Sequence, residues 1–144
     1  MKIIIAGSRT LTATIEQLDS YLAEFLDYSD YMKAEIVSGC AQGIDTSGEK
    51  YAKWYKLKLH QFPADWDKYG KAAGIIRNHQ MAEFADVALV IWDGKSRGSA
   101  NMIATMKKLD KPVCEVVIPD KYDTDNKDDN LKLLKNYWKK VYET

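Results

Sequence analysis

The stretch that decides the fold runs from Asp86 to Met102 and reads Asp-Val-Ala-Leu-Val-Ile-Trp-Asp-Gly-Lys-Ser-Arg-Gly-Ser-Ala-Asn-Met. Its continuous apolar run, Val87 to Trp92, ends abruptly at Asp93-Gly94 and is followed by a polar loop and a helical pattern. An unbroken run rich in β-branched residues, with turn residues on both sides, predicts a strand that is buried on both faces. A buried strand that leads through a glycine loop into a helix is the usual setting of a phosphate site in an open α/β sheet.

The rest of the chain repeats this pattern of a strand followed by a helix. Helices are predicted after an N-cap at Thr10 or Thr12, over 44–55 and 73–85, and around Met102 and Met106. This alternation predicts an α/β fold, with a single Rossmann-like, doubly wound parallel sheet of about five strands, flanking helices and an extra C-terminal helix. The predicted strands are Ile3–Ala6, Glu35–Ser38, Leu57–Phe62, Val87–Trp92 and Val113–Ile118.

The residues after Ile118 are predicted to extend the same domain. Residues 119–129 are polar and acidic, which indicates a surface loop. A polar turn is likewise expected around 67–70. The last helix would be capped near Asn130 and would carry Leu131, Leu134, Trp138 and Val141 on one side. We therefore expect one Rossmann-like domain over 1–118, and a loop and helix over 119–144 that pack on it or on a partner subunit of a homo-oligomer.

The composition limits the class of protein. The chain has 144 residues, of which 46% are hydrophobic and 29% charged, as expected of one globular domain without a membrane span. Cys40 and Cys114 form no metal-binding spacing and suit a reducing cytoplasm, so we predict no metal and no cofactor. The net charge is zero, which argues against a nucleic-acid partner but leaves room for a small anionic ligand.

The candidate site collects at one edge of the predicted sheet. Because right-handed crossovers bring the carboxyl ends of parallel strands to the same edge, the loops that follow them should meet there. Glycines allow a ligand to approach the backbone, serines and arginines bind phosphate, and carboxylates accept hydrogen bonds from a ribose or base. The predicted ligand residues are Gly7, Ser8, Arg9, Ser38, Gly39, Gly43, Asp45, Asp65, Arg77, Asn78, Asp93, Gly94, Ser96, Arg97, Gly98 and Ser99.

Two tryptophans, Trp66 and Trp92, lie at predicted strand ends. Each is placed to stack on a base, although aromatic residues there also serve as lids on the core. Arg77 is expected near the start of its helix, where it would reach over the strand ends toward an anion. A solvated arginine is the alternative.

Five motifs, in order between Met1 and about Val117, resemble the YspA-like branch of the SLOG superfamily. The C-terminal helix lies outside this resemblance. The motifs are Gly-Ser-Arg at 7–9, Ser-Gly-x-Ala-x-Gly-Ile-Asp at 38–45, Phe-Pro-Ala-Asp-Trp at 62–66, Ala-Gly-x-x-Arg-Asn-x-x-Met at 73–81 and Trp-Asp-Gly-x-Ser-Arg-Gly-Ser at 92–99.

The resemblance implies a Rossmann-like sheet with a pocket for nucleotides or nucleotide-derived ligands. Enzymatic relatives, the phosphoribohydrolases, carry a catalytic arginine, which Arg77 matches, and a catalytic glutamate in the glycine loop. Counting from Gly98, the glutamate position holds Asn101, which cannot act as a general base. Asp45, Asp65 or Asp93 would have to substitute for it, so the catalytic candidates are Arg77, Asp45 and Asp93.

The leading hypothesis is that the protein binds a nucleotide or nucleotide-derived phosphorylated ligand, to sense, sequester or process it in nucleotide signalling. The first alternative is an enzyme that hydrolyses the N-glycosidic bond of a nucleoside 5′-monophosphate. A third reading is single-stranded nucleic-acid binding through the sheet edge and the lysine face of the last helix, formed by Lys132, Lys135, Lys139 and Lys140.

Overall fold

The computed structural model describes residues 1–118 and the backbone of residues 138–140. The strands and helices alternate along the chain. The strands are β1 (Lys2–Gly7), β2 (Glu35–Ser38), β3 (Leu59–Gln61), β4 (Val87–Trp92), β5 (Val113–Val117) and β6 (Trp138–Lys140). The helices are α1 (Ile15–Phe25), α2 (Tyr28–Tyr31), α3 (Ile44–Trp54), α4 (Trp66–Tyr69), α5 (Ala73–Phe84) and α6 (Arg97–Lys108), with a 3-10 turn at Gly70–Ala72.

The sheet has the strand order β3-β2-β1-β4-β5-β6. The first five strands are all parallel, and only β6 runs antiparallel to its neighbour β5. The predicted α/β fold with a Rossmann-like parallel sheet is therefore confirmed. From β1 the chain builds outward through β2 and β3, then returns to place β4 on the other side of β1. The strand order therefore reverses between β1 and β4, where open α/β sheets bind their ligands.

The core consists of two layers, one on each face of the sheet. Along β1, Ile3 and Ile5 pack in the layer that holds α1 and α3, while Ile4 packs in the layer of α5 and α6. Alternating side chains along β4 are divided in the same way, and Val87 to Ile91 are all buried. This two-sided burial is what the unbroken apolar run indicated.

Two local predictions were wrong. The N-cap of α1 is Thr14, not Thr10 or Thr12, because Thr14 forms a capping box with Gln17 three residues later. The expected polar turn at 67–70 is the short helix α4, which Asp65 caps by accepting a hydrogen bond from the Lys68 amide at 3.1 Å.

The C-terminal prediction is tested at three residues only. Trp138–Lys140 form β6, paired with β5, and so are not part of a helix as predicted. The outer edge of β5 has backbone N–H and C=O groups that form hydrogen bonds with this segment when it is a strand. The rest of the predicted loop and helix, and the side chains of its lysine face, lie outside the described residues. Within the part that the structure describes, none of the helices has the length and apolar character needed to cross a membrane.

Lys111 joins the two helices that pack beside β4. Its ammonium group donates hydrogen bonds of 2.8 Å to the carbonyls of Ala82, Glu83 and Ala85 at the C-terminal end of α5. The last carbonyls of a helix have no partners within it and carry the negative end of its dipole. Lys111 therefore fixes the end of the helix that supplies Arg77.

We expect Lys111→Met to lower the free energy of unfolding by about 1–2 kcal/mol, since methionine keeps the aliphatic packing but loses the charged donor. Urea denaturation measures this difference. Lys50→Met, which removes an exposed lysine from α3, is the control and should change stability little. Equal denaturation midpoints for the two variants would contradict the assigned role.

Candidate functional site

A cavity of about 340 Å³ opens where β1 and β4 end. Its walls come from four parts of the chain: the loop after β1, the first turn of α3, the body of α5 and the start of α6. They place Ser8, Arg9, Asp45, Arg77 and Ser96 around one space. We call this space the first cavity.

A second cavity of about 320 Å³ adjoins the first. Arg9, Ala41 and Arg77 line both cavities, so the two guanidinium groups stand at their junction. The second cavity was not predicted from the sequence. Its remaining lining residues are Gly39, Cys40, Gln42, Pro63, Ala64 and Trp66.

The floor of the first cavity is the close contact between β1 and β4. The Ser8 amide donates to the Ile91 carbonyl at 3.0 Å, and the Ser8 hydroxyl accepts from the Asp93 amide at 3.1 Å. A Cβ atom on Gly7 would lie only 1.8 Å from the Ile91 carbonyl oxygen. Glycine is therefore required here by the packing of the two strands.

Asp93 orders the loop between β4 and α6. Its Oδ1 accepts hydrogen bonds from the amides of Lys95 at 2.8 Å and Ser96 at 2.9 Å. These amides, the Lys95 amide first, hold the pKa of the Asp93 carboxyl below its usual value. Asp93 therefore fixes the conformation of this loop, and the loop in turn positions the first turn of α6.

The start of α6 presents backbone donors to the first cavity. Ser96 is the N-cap, and its hydroxyl lies 3.5 Å from the Ser99 amide and 3.3 Å from the Ser99 hydroxyl. Gly98 lines the cavity, and a Cβ there would meet nothing within 4 Å. The first amides of a helix have no partners inside it, so this turn is suited to an anion.

Arg77 is held in place from two sides. Its Nη1 donates to the Gly39 carbonyl, and its Nε donates to the Asn78 side-chain oxygen at 3.0 Å. Burial lowers the pKa of Arg77, nearby Asp45 opposes that shift, and the positive charge of Arg9 adds to it. Arg9 itself is exposed, and its guanidinium makes no hydrogen bond or ion pair with the residues that the structure describes.

Asn78 connects α5 to α6. Its amide nitrogen donates to the Gly98 carbonyl at 3.1 Å and to the Asn101 side-chain oxygen at 3.0 Å. Asn101 lines neither cavity. The Asn101 side chain is therefore used to hold α6 against α5.

Asp45 is the buried carboxyl of the site, 5% exposed. Its Oδ2 accepts a hydrogen bond from the Ala41 amide at 3.2 Å. Burial raises the pKa of Asp45, and the Ala41 amide and the charge of Arg77 only partly oppose that shift. The ionised form is therefore the one that folding disfavours.

We expect Asp45→Asn to stabilise the protein at neutral pH. An acid whose pKa is raised by folding contributes stability below its unfolded pKa and loses it as the pH rises through its folded pKa. The variant should therefore have a higher Tm than the wild type at pH 7, and this difference should shrink toward the ordinary pKa of aspartate. Thermal unfolding from pH 3 to pH 8 tests this, and a difference in Tm independent of pH would contradict it.

Some of the predicted ligand residues line neither cavity. The Ser38 hydroxyl is buried and donates to Glu49 at 2.7 Å, so it is not available to a ligand. Gly43 and Gly94 have positive φ angles of 77° and 83° and serve the backbone turns before α3 and α6. The residues outside both cavities are Ser38, Gly43, Asp65, Gly94 and Arg97.

The other predicted residues do come together. Gly39 lines the second cavity, and the remaining ones line the first. The lining residues that were not predicted from the sequence are Ala6, Thr10, Ala41, Met81 and Met102 in the first cavity, together with Cys40, Gln42, Pro63 and Ala64 in the second. Ala41 and Gln42 lie inside the motif at 38–45, so their position in the sequence could have indicated that they belong to the site. Thr10 directly follows the Gly-Ser-Arg motif.

The chain is similar to a phage protein. The chain is 30% identical over 118 residues to the "Gene 61 protein" of Mycobacterium phage D29, an alignment that covers 78% of this chain and 93% of the relative. No protein-family profile matches the chain, and no solved structure matches it.

Proposed function

This chain belongs to the family of the Gene 61 protein of Mycobacterium phage D29, and from the geometry of its site we propose that it binds a nucleotide or nucleotide-derived phosphorylated ligand at the carboxyl edge of the sheet. The ligand is sensed, sequestered or processed in nucleotide signalling. The motifs that line the two cavities are those on which the SLOG resemblance depends, and membership of that superfamily is part of the proposal.

The observation that carries the proposal is the pair of arginines at the junction of the two cavities. Arg9 and Arg77 bear like charges, and Arg9 has no protein partner among the described residues. Two guanidinium groups that face one space repel each other unless an anion lies between them. Phosphate is the anion whose oxygens match the planar donors of arginine.

The start of α6 supplies a second set of donors for the same ligand. Ser96, Gly98 and Ser99 line the first cavity together with the two arginines. Helix amides and serine hydroxyls bind phosphate oxygens without adding charge, so these groups complement the arginines. We therefore expect the phosphate to lie between the arginine pair and the first turn of α6.

The test is a thermal-shift panel of ribonucleotides, deoxyribonucleotides and dinucleotides against the wild-type chain. A ligand that binds only the folded state stabilises it by about 2.7 kcal/mol at 100 times its Kd, and the Tm rises with the ligand concentration. At least one nucleotide should behave in this way, whereas the matching nucleoside should not. A panel in which no phosphorylated compound raises the Tm would argue against the proposal.

A second function, hydrolysis of the N-glycosidic bond of a nucleoside 5′-monophosphate, is supported by Asp45. The raised pKa of this carboxyl keeps its proton to a higher pH than usual, and Asp45 lines the same cavity as Arg77. A protonated carboxyl would donate this proton to the base as the N-glycosidic bond breaks and water adds to the ribose carbon that the base leaves. Asn101 lacks this chemistry.

Chromatography distinguishes the two functions. Under the enzymatic alternative, incubation with nucleoside monophosphates releases free base, and Asp45→Asn abolishes the release. Under the binding proposal alone, the nucleotide is recovered intact even at high protein concentration.

A further inference from the structure

The second cavity differs chemically from the first. No carboxylate is among its lining residues. Its walls are the indole of Trp66, the apolar Pro63 and Ala64, the amide of Gln42 and the two arginines that it shares with the first cavity. A flat aromatic wall beside amide donors and acceptors is suited to a heteroaromatic ring.

Trp66 is one of the exposed large hydrophobic residues of the described chain. The residue is 52% exposed and lines the second cavity, so it is accessible to a ligand there. The ring rests against the backbone of α5, because a Cβ built on Gly74 would be 3.5 Å from Trp66 Cη2 and 3.9 Å from Arg77 Nη2. A Cβ at Gly74 would therefore make ordinary van der Waals contact with both groups, which places the Trp66 ring and the Arg77 guanidinium over the first turn of α5.

Gln42 supplies a polar edge to the same space. It lines the second cavity and is exposed, and its amide makes no hydrogen bond with the described residues. A carboxamide carries one acceptor and two donors, a set that pairs with the edge of a nucleobase.

We propose that the second cavity is a nucleobase subsite, in which the base stacks on Trp66 and is read at its edge by Gln42. This inference rests on the proposed function, because the phosphate between Arg9 and Arg77 fixes where the nucleoside begins. A ligand anchored at that junction extends its base into the second cavity, and its phosphate faces the first. The ligand class is therefore a nucleotide with an intact base, rather than a sugar phosphate or an inorganic anion.

The test is a thermodynamic cycle that combines a change in the protein with a change in the ligand. Calorimetry gives the Kd of wild type and Trp66→Ala for the four common ribonucleoside 5′-monophosphates and for ribose 5-phosphate, which lacks only the base. Stacking on an aromatic side chain depends little on which base is bound, so Trp66→Ala should weaken nucleotide binding by about 5- to 100-fold. Binding of ribose 5-phosphate should change less than about 2-fold.

Trp54→Ala is the matched control. Trp54 is 70% exposed at the end of α3 and lines neither cavity, so its removal should leave every Kd unchanged. Trp66→Phe keeps an aromatic face and should retain most of the nucleotide affinity. Unfolding curves of each variant show that the fold is intact.

The outcomes separate the two proposals. If nucleotides bind and Trp66→Ala weakens nucleotide and ribose 5-phosphate equally, or weakens neither, the nucleobase subsite is wrong and the phosphate site stands. If neither the nucleotides nor ribose 5-phosphate bind the wild type, both proposals fail. A loss confined to ligands that carry a base supports the subsite.

Discussion

Replacing Arg9 and Arg77 together with alanine is expected to weaken nucleotide binding by at least about 100-fold. Hydrogen bonds to charged groups contribute about 1.5–3 kcal/mol each, and each 1.4 kcal/mol is a factor of ten in affinity. Both guanidinium groups line both cavities, so no other described cation replaces them at the junction. Calorimetry with the nucleotide that gives the largest thermal shift measures the loss.

A charge-matched control separates a local effect from a change in net charge. Lys107→Ala with Lys108→Ala also removes two positive charges, but from the last turn of α6. This variant should bind within about 2-fold of wild type, since exposed charges at that distance are screened. A double arginine variant that binds as tightly as the lysine control would show that the phosphate site is misassigned.

Replacing the two arginines with lysine tests whether charge alone is enough to bind the ligand. Arg9→Lys with Arg77→Lys keeps both charges but removes the planar forks that bind phosphate oxygens in pairs. We expect an intermediate loss of affinity. The fold is checked by circular dichroism, because Arg77 also donates to the Gly39 carbonyl.

Gly7→Ala is expected to lower the free energy of unfolding by at least about 3 kcal/mol, at the upper end of what overpacking costs. The added Cβ would lie 1.8 Å from the Ile91 carbonyl oxygen and 2.9 Å from Ile44 Cγ1. The backbone oxygen cannot move aside without separating β1 from β4, where Gly7 pairs with Ile91. Chemical denaturation gives the size of the loss.

Gly98→Ala is the control for this substitution. A Cβ there meets nothing within 4 Å, and alanine favours the helix over glycine by up to about 1 kcal/mol. Its stability should equal or exceed that of wild type. Equal stability of the two alanine variants would contradict the close approach of the strands at the floor of the first cavity.

Much of the fold could be predicted from the sequence because the pattern is local. The run Val87 to Trp92 is apolar at every position, which indicates a strand covered on both faces, and such strands in alternation with helices leave few topologies. The N-cap of α1 was misplaced because three threonines compete there, and only the partner Gln17 selects Thr14.

The site was predicted less completely because its details depend on tertiary partners. Arg77 and Asp45 were expected at the strand ends, and both line the first cavity. The Ser38 hydroxyl was expected there too, but it donates its hydrogen bond to Glu49 of α3. The second cavity was missed because Gln42 and Trp66, which line it, come from separate parts of the chain that no local pattern brings together.

A phosphorylated ligand between the arginine pair and the start of α6 should change the amide environment of the residues around it. Titration of ¹⁵N-labelled protein with the nucleotide panel, followed by amide chemical shifts, tests its location residue by residue. We expect concentration-dependent shifts centred on Ser8, Arg9, Gly98 and Ser99. Shifts centred elsewhere, or none with any nucleotide at millimolar concentration, would contradict this expectation.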